Sequence, residues 1–230
     1  MKIFRSFAVA VLVGIAAVLA AGKMALATSI VLDFEDLGPS FLDPIPDGYQ
    51  GFEWRDISEL PFRQMVFYAP DLMGRCSTTG GTFAGGYCNG TVSGEYVAFR
   101  GNSGGTPATM RRSTAFNIES GYFTSPWRNG AHLQIHGYLG GILLYSDDFI
   151  FGTLAPELIE LNYLGIDKIT FFGGGGVNAG HDGDGSGFVI DNLTYSEISA
   201  IPLPPSITLF ATALLGLAAI RRRRRGGLAV

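Results

Sequence analysis

The sequence predicts an all-β domain, a jelly-roll-like β-sandwich, over residues 28–200, flanked by an N-terminal signal-peptide helix and a C-terminal transmembrane helix. Short apolar or alternating runs, rich in β-branched and aromatic residues, recur through the domain, with Gly, Asn, Asp and Pro between them. No stretch of 12 or more residues in it has helical periodicity. About ten runs at a spacing of roughly 8–12 residues favour two sheets around one core.

The N-terminal segment, residues 1–27, has the composition of a secretory signal peptide. Lys2 and Arg5 form a basic start, and residues 7–22 are almost entirely apolar. Ala25 and Ala27 supply the small side chains of an A-x-A cleavage site. We therefore expect signal peptidase to cleave after Ala27. The alternative is an uncleaved N-terminal anchor.

The predicted strands follow in chain order, each bounded by turn residues. Their side chains fit a half-buried, pleated surface better than a helix. The ten runs are 30–34, 65–68, 96–99, 115–118, 133–135, 142–145, 149–151, 158–163, 166–172 and 188–195.

Residues 201–230 predict a membrane span that ends in basic residues. A proline motif at 202–205 precedes an apolar run at 206–220, and five arginines follow at 221–225. Fifteen residues reach roughly 22 Å as a helix, whereas the hydrocarbon core measures about 30 Å. By the positive-inside rule the arginines stay cytoplasmic, so residues 28–200 are exported through the inner membrane and anchored by this tail.

These three parts, in this order, resemble the PEP-CTERM sorting signal of Gram-negative bacteria, and the proline motif is similar to its VPLPA variant. The resemblance implies processing near the motif by an exosortase, release to the cell surface or the medium, and a link to exopolysaccharide or biofilm. A plain C-terminal anchor is the alternative. The residues that carry the resemblance are Pro202, Leu203, Pro204, Pro205, Arg221, Arg222 and Arg223.

Three motifs inside the domain also resemble those of exported β-sandwich domains in PEP-CTERM proteins. The first strand carries FEDL at 34–37, a Y-x-G-F-x-W segment follows at 49–54, and the last strand carries F-x-I-D-N-L at 188–193.

The charge of the exported part differs from that of the whole chain. The two terminal segments hold eight of the 16 basic residues and none of the 20 acidic ones, so eight basic residues face 20 acidic ones, a net charge of −12. Such a domain repels nucleic acid and anionic lipid, and it favours divalent cations or neutral ligands. Nucleic-acid binding is therefore excluded.

The cysteines predict a disulfide. Cys76 and Cys88 are the only two, and both lie in a segment rich in Gly, Ser and Thr. An even count in an exported domain favours a bridge, which would contribute roughly 2–3 kcal/mol and pin the loop at 71–91. The alternative is a thiol nucleophile or metal pair, which an oxidising compartment disfavours.

Two glycine-containing motifs lack the context that their chemistry needs. Residues 101–105 satisfy G-x-S-x-G around Ser103, but a nucleophile elbow needs a strand-to-helix turn in a βαβ sheet, and none is predicted. The glycine run at 173–176 is not followed by G-K-[ST], so we interpret it as a flexible loop entry.

His132 and His136 have the spacing of an HxxxH zinc motif. They alternate with Leu133 and Ile135, a pattern that predicts a strand with the apolar residues facing inward. On a strand the two rings are about 13 Å apart, too far to share one zinc ion. We interpret both histidines as solvent-facing residues that line a shallow binding face.

A structural calcium ion is the one cofactor that the sequence favours. Asp182 and Asp184 alternate with glycine as in the start of an EF-hand loop, but the twelfth position lacks the bidentate Glu. The two ends of the domain also resemble calcium-bearing jelly-roll carbohydrate-binding modules, which implies Glu35 and Asp191 as shared ligands, with Asp33 or Asp36 assisting. The alternative is that these acids shape turns and are solvated.

Trp127 is the best single candidate for ligand contact. It lies in Ser125-Pro-Trp-Arg-Asn129, a predicted loop, and sugar-binding sandwiches stack pyranose rings on such side chains. Core packing is the alternative.

Two function hypotheses follow. The first is a non-enzymatic surface or matrix protein that binds polysaccharide or neighbouring proteins. The second is an exported glycan-active hydrolase or lyase that uses paired carboxylates, such as Asp147 with Asp148 or Glu157 with Glu160.

Overall fold

The computed structural model describes residues 28–40, 42–54, 65–71, 76, 85–100, 107–181 and 183–198. Nine strands run through them, and every strand pair is antiparallel, which confirms the all-β prediction. A one-turn helix, α1 (Gly86–Asn89), and two 3-10 turns (Glu35–Leu37 and Tyr49–Gly51) interrupt them. The strands are β1 (Ser29–Leu32), β2 (Leu42–Pro44), β3 (Val66–Tyr68), β4 (Val97–Arg100), β5 (Ala108–Thr124), β6 (Arg128–Leu139), β7 (Ile142–Phe151), β8 (Glu157–Asn178) and β9 (Phe188–Glu197).

The strands follow the order β2-β3-β4-β9-β5-β8-β6-β7. β9 pairs with β5 along one edge. Along its other edge, the start of β9 pairs with β4 and the end of β9 pairs with β1. β7 ends the path and pairs only with β6 among the described strands.

Four of the predicted strands join into two. The runs at 142–145 and 149–151 form β7, and those at 158–163 and 166–172 belong to β8. The break expected between 145 and 149 stays paired in β7, and its Asp147 accepts a hydrogen bond from the Tyr163 hydroxyl at 2.6 Å. The break expected near residue 165 is an irregularity in β8, where Asn162 (φ 53°) and Gly165 (φ 69°) adopt left-handed backbone. β2 was not predicted, because three residues are too few to show a periodic pattern.

The interpretation of the glycine run at 173–176 as a loop entry is wrong. These residues lie inside β8, where Gly173 pairs with Leu133 and Gly174 with His132. A Cβ atom on Gly173 would overlap the carbonyl oxygen of Ser186, so the backbone needs glycine there. The run reflects a close backbone approach within a strand.

The inner faces of the strands enclose one hydrophobic core. The Phe52 ring lies 4.9 Å from Phe116 and 5.0 Å from Tyr195, and Phe171 of β8 lies 5.8 Å from Phe188 of β9. The same continuous cluster includes residues of β3 and β6, which are far apart in the strand order. Because the described residues contain no helix longer than one turn that could cover it, the sheet buries its apolar side against itself, which is a β-sandwich.

The predicted terminal segments, 1–27 and 201–230, lie outside the described residues, and so do their cleavage and sorting residues. Among the residues that are described, no helix has the length and apolar character needed to cross a bilayer.

Candidate functional site

β6 presents a line of polar side chains on the outer face of the sandwich. Ala131, Leu133, Ile135 and Gly137 are buried, and the residues between them point the opposite way because side chains alternate along a strand. The prediction that this segment is a strand with outward histidines is therefore confirmed. We call the four outward residues the outer strip: His132, Gln134, His136 and Tyr138.

The neighbouring strands extend this face on both sides. Directly opposed residues of an antiparallel pair share a face, so the register places one residue of β7 and one of β8 beside each member of the strip. From β7 these are Ile150, Asp148, Ser146 and Leu143, and from β8 they are Gly174, Phe172, Thr170 and Lys168.

Contacts between these side chains fix their orientations. The His132 Nδ1 atom lies 3.2 Å from the Asp148 carboxylate, and the Tyr138 hydroxyl lies 3.4 Å from His136 Nδ1. The Lys168 ammonium lies 4.2 Å from the centre of the Tyr138 ring, a cation–π distance. The face thus combines hydrogen-bond donors and acceptors with partly exposed rings, the two kinds of group that a sugar surface requires.

Asp191, one of the two predicted calcium ligands from the chain ends, is completely buried. Its carboxylate accepts backbone N–H groups from Val92 at 2.6 Å, Ser93 at 3.0 Å and Asn192 at 2.7 Å. Burial raises the pKa of Asp191 to about 6, the three amides act in the opposite direction, and the nearby Glu35 charge adds to the rise. The hydrogen bonds of this carboxylate connect the backbone at residues 92–93 to β9.

Glu35, the other predicted ligand, accepts hydrogen bonds from the same segment, at residues 95 and 96. Its carboxylate accepts the N–H groups of Glu95 at 2.9 Å and Tyr96 at 2.7 Å. A Cβ atom on Gly94, at φ +56°, would overlap this carboxylate. The fold therefore brings Glu35 and Asp191 to one segment, as predicted, and both carboxylates accept hydrogen bonds from backbone amides there.

The remaining predicted calcium ligands lie apart from this pair or outside the described residues. Asp33 accepts the backbone N–H of Glu35 at 3.3 Å. Asp184 forms a salt bridge with Arg128 at 2.8 Å, which lowers the pKa of that carboxyl, and Asp182 is not among the described residues. Over the described part of the chain, no three His, Cys, Asp or Glu side chains form a metal-binding group. Calcium stays a prediction.

Trp127 lies in a loop, as predicted, and is half-buried. Its ring centre is 5.4 Å from Tyr87 in an edge-on contact and 6.4 Å from His181. The backbone at Gly183 passes close to the indole. A Cβ atom at this residue would lie 2.5–2.6 Å from three ring atoms, which is closer than van der Waals contact. Trp127 therefore packs α1 against the loop that precedes β9, and ligand contact through it stays a prediction.

The disulfide is confirmed. Cys76 is bonded to Cys88, with 5.5 Å between the Cα atoms, and Cys88 belongs to α1. The bridge connects residue 76 to α1. In the same helix, Asn89 Nδ2 donates a hydrogen bond to the carbonyl of Thr153 at 2.7 Å.

The carboxylate pairs named for the enzyme hypothesis do not converge. Asp147 and Asp148 are neighbours on β7, so they point to opposite faces, one towards Tyr163 and one towards His132. Glu157 and Glu160 are three residues apart in a regular stretch of β8, which also places them on opposite faces. Ser103 lies outside the described residues.

The sequence pointed to the two histidines but missed the rest of the face. Gln134 and Tyr138 follow from the same alternation and could have been included. Lys168 and Phe172 could not, because only the register of β8 against β6 makes them neighbours of the strip.

Comparison with known proteins adds little to this geometry. No family model matches the chain, and no curated protein matches it. A DUF4465 family protein from Bacteroides ovatus ATCC 8483 is similar in structure, with 9% identity, a TM-score of 0.37, and coverage of 76% of this chain and 96% of that one. TmCBM61, solved in complex with beta-1,4-galactotriose, has 13% identity, a TM-score of 0.31, and coverage of 47% and 76%. At these TM-scores neither likeness carries an argument about function.

Proposed function

We propose that this protein is a non-catalytic polysaccharide-binding β-sandwich of the cell envelope or extracellular matrix. The observation that carries the proposal is the outer strip, four side chains with hydrogen-bonding groups in line on one strand. At about 3.3 Å per residue the strip extends roughly 20 Å, enough for several consecutive sugar units. Phe172 beside Gln134 adds a partly exposed ring to the same face.

The proposed location follows from the terminal segments. Signal peptidase removes residues 1–27, the tail anchors the protein in the inner membrane, and an exosortase cuts near Pro202–Pro205 as in PEP-CTERM proteins. A disulfide-bonded domain fits the oxidising side of that membrane. The jelly-roll-like topology and a structural calcium at Glu35 and Asp191 belong to this proposal. A bound ion would have to share those carboxylates with backbone amides.

A glycan array probed with the full-length protein tests the function. We expect retention of one or more extended polysaccharides and no release of reducing ends during long incubation. Gln134→Ala should weaken binding roughly two- to tenfold, the range expected for one lost hydrogen bond.

Glu160→Ala is the matched control, because it also truncates an exposed strand residue but pairs with Ser120 of β5. Binding should be unchanged in this variant, and both variants should keep the melting temperature of the parent. Absence of binding to every glycan overturns the proposal, and steady release of reducing ends replaces it with the enzyme hypothesis.

A further inference from the structure

Two cations lie side by side on the outer face, next to the end of the strip. Arg111 of β5 and Lys168 of β8 are direct cross-strand partners, so their side chains leave the sheet on the same side. Like charges in this position destabilise a sheet. Across β8 the same Lys168 is the direct partner of Tyr138, whose ring it contacts.

Lys168 differs from the other partly buried cations on the described strands, because no acid that the structure describes forms a salt bridge with it. Arg111 is paired with Glu53, with 2.8 Å between Nη2 and Oε2. Arg112 and Arg128 are likewise paired, with Glu197 and Asp184. Lys168 makes no salt bridge with any residue that the structure describes, although the domain carries a large excess of acids.

Two acids of the strands that form this face contact other groups. Asp167 accepts the backbone N–H of Gly140 at 2.7 Å, and Asp148 lies against His132. More distant acids act weakly here, because at physiological salt concentration interactions between exposed charges are largely screened beyond about 8 Å. At this end of the strip the carboxylates of Glu53 and Asp167 balance the charges of Arg111 and Lys168, and Lys168 is the cation there without a salt bridge to a described acid.

We propose that Lys168 binds the carboxylate of a uronic acid, so that the ligand of the outer strip is an acidic polysaccharide. The ammonium donates charge-assisted hydrogen bonds to the carboxylate, and Gln134 and His136 contact hydroxyl groups further along the chain. This inference rests on the proposed function and narrows it to one substrate class.

Titration of the full-length protein with polygalacturonate and with a neutral galactan tests the inference. We expect tighter binding of the acidic polymer, and weaker binding of it when the salt concentration rises from about 0.05 M to about 0.5 M. Lys168→Gln should weaken polygalacturonate binding about ten- to hundredfold, the loss expected for hydrogen bonds to a charged group, and should weaken galactan binding by a much smaller factor.

Arg128→Gln is the matched control, because it removes the same charge from the domain at a site outside the strip. Polygalacturonate binding should be nearly unchanged in this variant. Equal loss in both variants shows a net-charge effect and overturns the inference. Binding of neutral chains alone overturns it but leaves the proposed function intact, whereas failure to bind any glycan overturns both.

Discussion

Several carboxylates of this protein act as acceptors for the backbone and thereby fix its loops. Asp191 and Glu35 together accept five N–H groups, four of them from the 92–96 turn. Carboxylates are stronger acceptors than neutral groups, so two side chains can define the path of a segment that has no strand or helix of its own. Asp191 performs this role while fully buried, at an electrostatic cost.

We expect Asp191 to make stability depend on pH. Its pKa is about 6 in the folded protein against an ordinary value of 3.8, so the folded state binds a proton that the unfolded state has released between about pH 4 and pH 6. The contribution of this group to the free energy of unfolding is therefore full below pH 4 and is lost as the pH rises through 6, a change of up to about 3 kcal/mol.

Urea unfolding from pH 4 to pH 7 measures this effect, in a buffer with chelator. The Asp191→Asn variant cannot titrate there, so the difference between its unfolding free energy and that of the parent should vary with pH in this window. Parallel curves would contradict the assignment. Repeating the series with Ca²⁺ tests the calcium prediction, since an ion at this site would stabilise the parent and not Glu35→Gln.

The strands divide the molecule into a buried side and an outer side, because side chains alternate along each strand. β6 shows this most clearly, with apolar or small residues on one side and the outer strip on the other. β8 contributes to both sides over 22 residues, and its glycines occur where another backbone comes close. Long bulged strands of this kind let one element serve both the core and the face.

Two neighbouring glycines of β8 should respond differently to the same substitution. Gly173→Ala should destabilise the protein by about 1–3 kcal/mol, because its Cβ would overlap the Ser186 carbonyl oxygen. Gly174→Ala should change stability by less than about 0.5 kcal/mol, because the nearest atom, Cε1 of Phe172, lies 3.9 Å from the added carbon. Urea midpoints of the two variants decide this, and equal losses would show that the close approach is absent.

The chain as a whole combines a disulfide-bonded, acidic β-sandwich with two terminal segments that carry basic and no acidic residues. The excess of acid disfavours contact with anionic membranes and nucleic acid. Lys168, at the end of the outer strip, is a local exception to this excess of acid, because no acid that the structure describes forms a salt bridge with it.

Intact mass measurement of the protein recovered from its native cell envelope tests the sorting proposal. We expect a chain that begins at residue 28 and ends near Pro202–Pro205, with Cys76 and Cys88 oxidised. Replacing Arg221, Arg222 and Arg223 by Gln should leave the tail uncut and the rest of the protein folded. A full-length chain with two free thiols in the cytosol would contradict the proposal.

The amino-acid sequence by itself determined the all-β class, nearly all of the strands, the disulfide and the outward direction of His132 and His136. These features depend on local periodicity, on turn residues and on the count of cysteines, which a single chain displays directly. Where local signals misled, at the glycine run and at the polar break in β7, pairing with β6 outweighed the preference of a few residues for a turn.

Only the tertiary structure decided which residues share the candidate site. Lys168 lies 30 residues from Tyr138 in the chain and 57 from Arg111, and no periodicity links them. Strand register brings the three together, and register depends on the packing of the whole core. For the same reason, the amide-binding role of Glu35 and Asp191 could not be read from the chain, because a carboxylate shows its partners only once the backbone around it is folded.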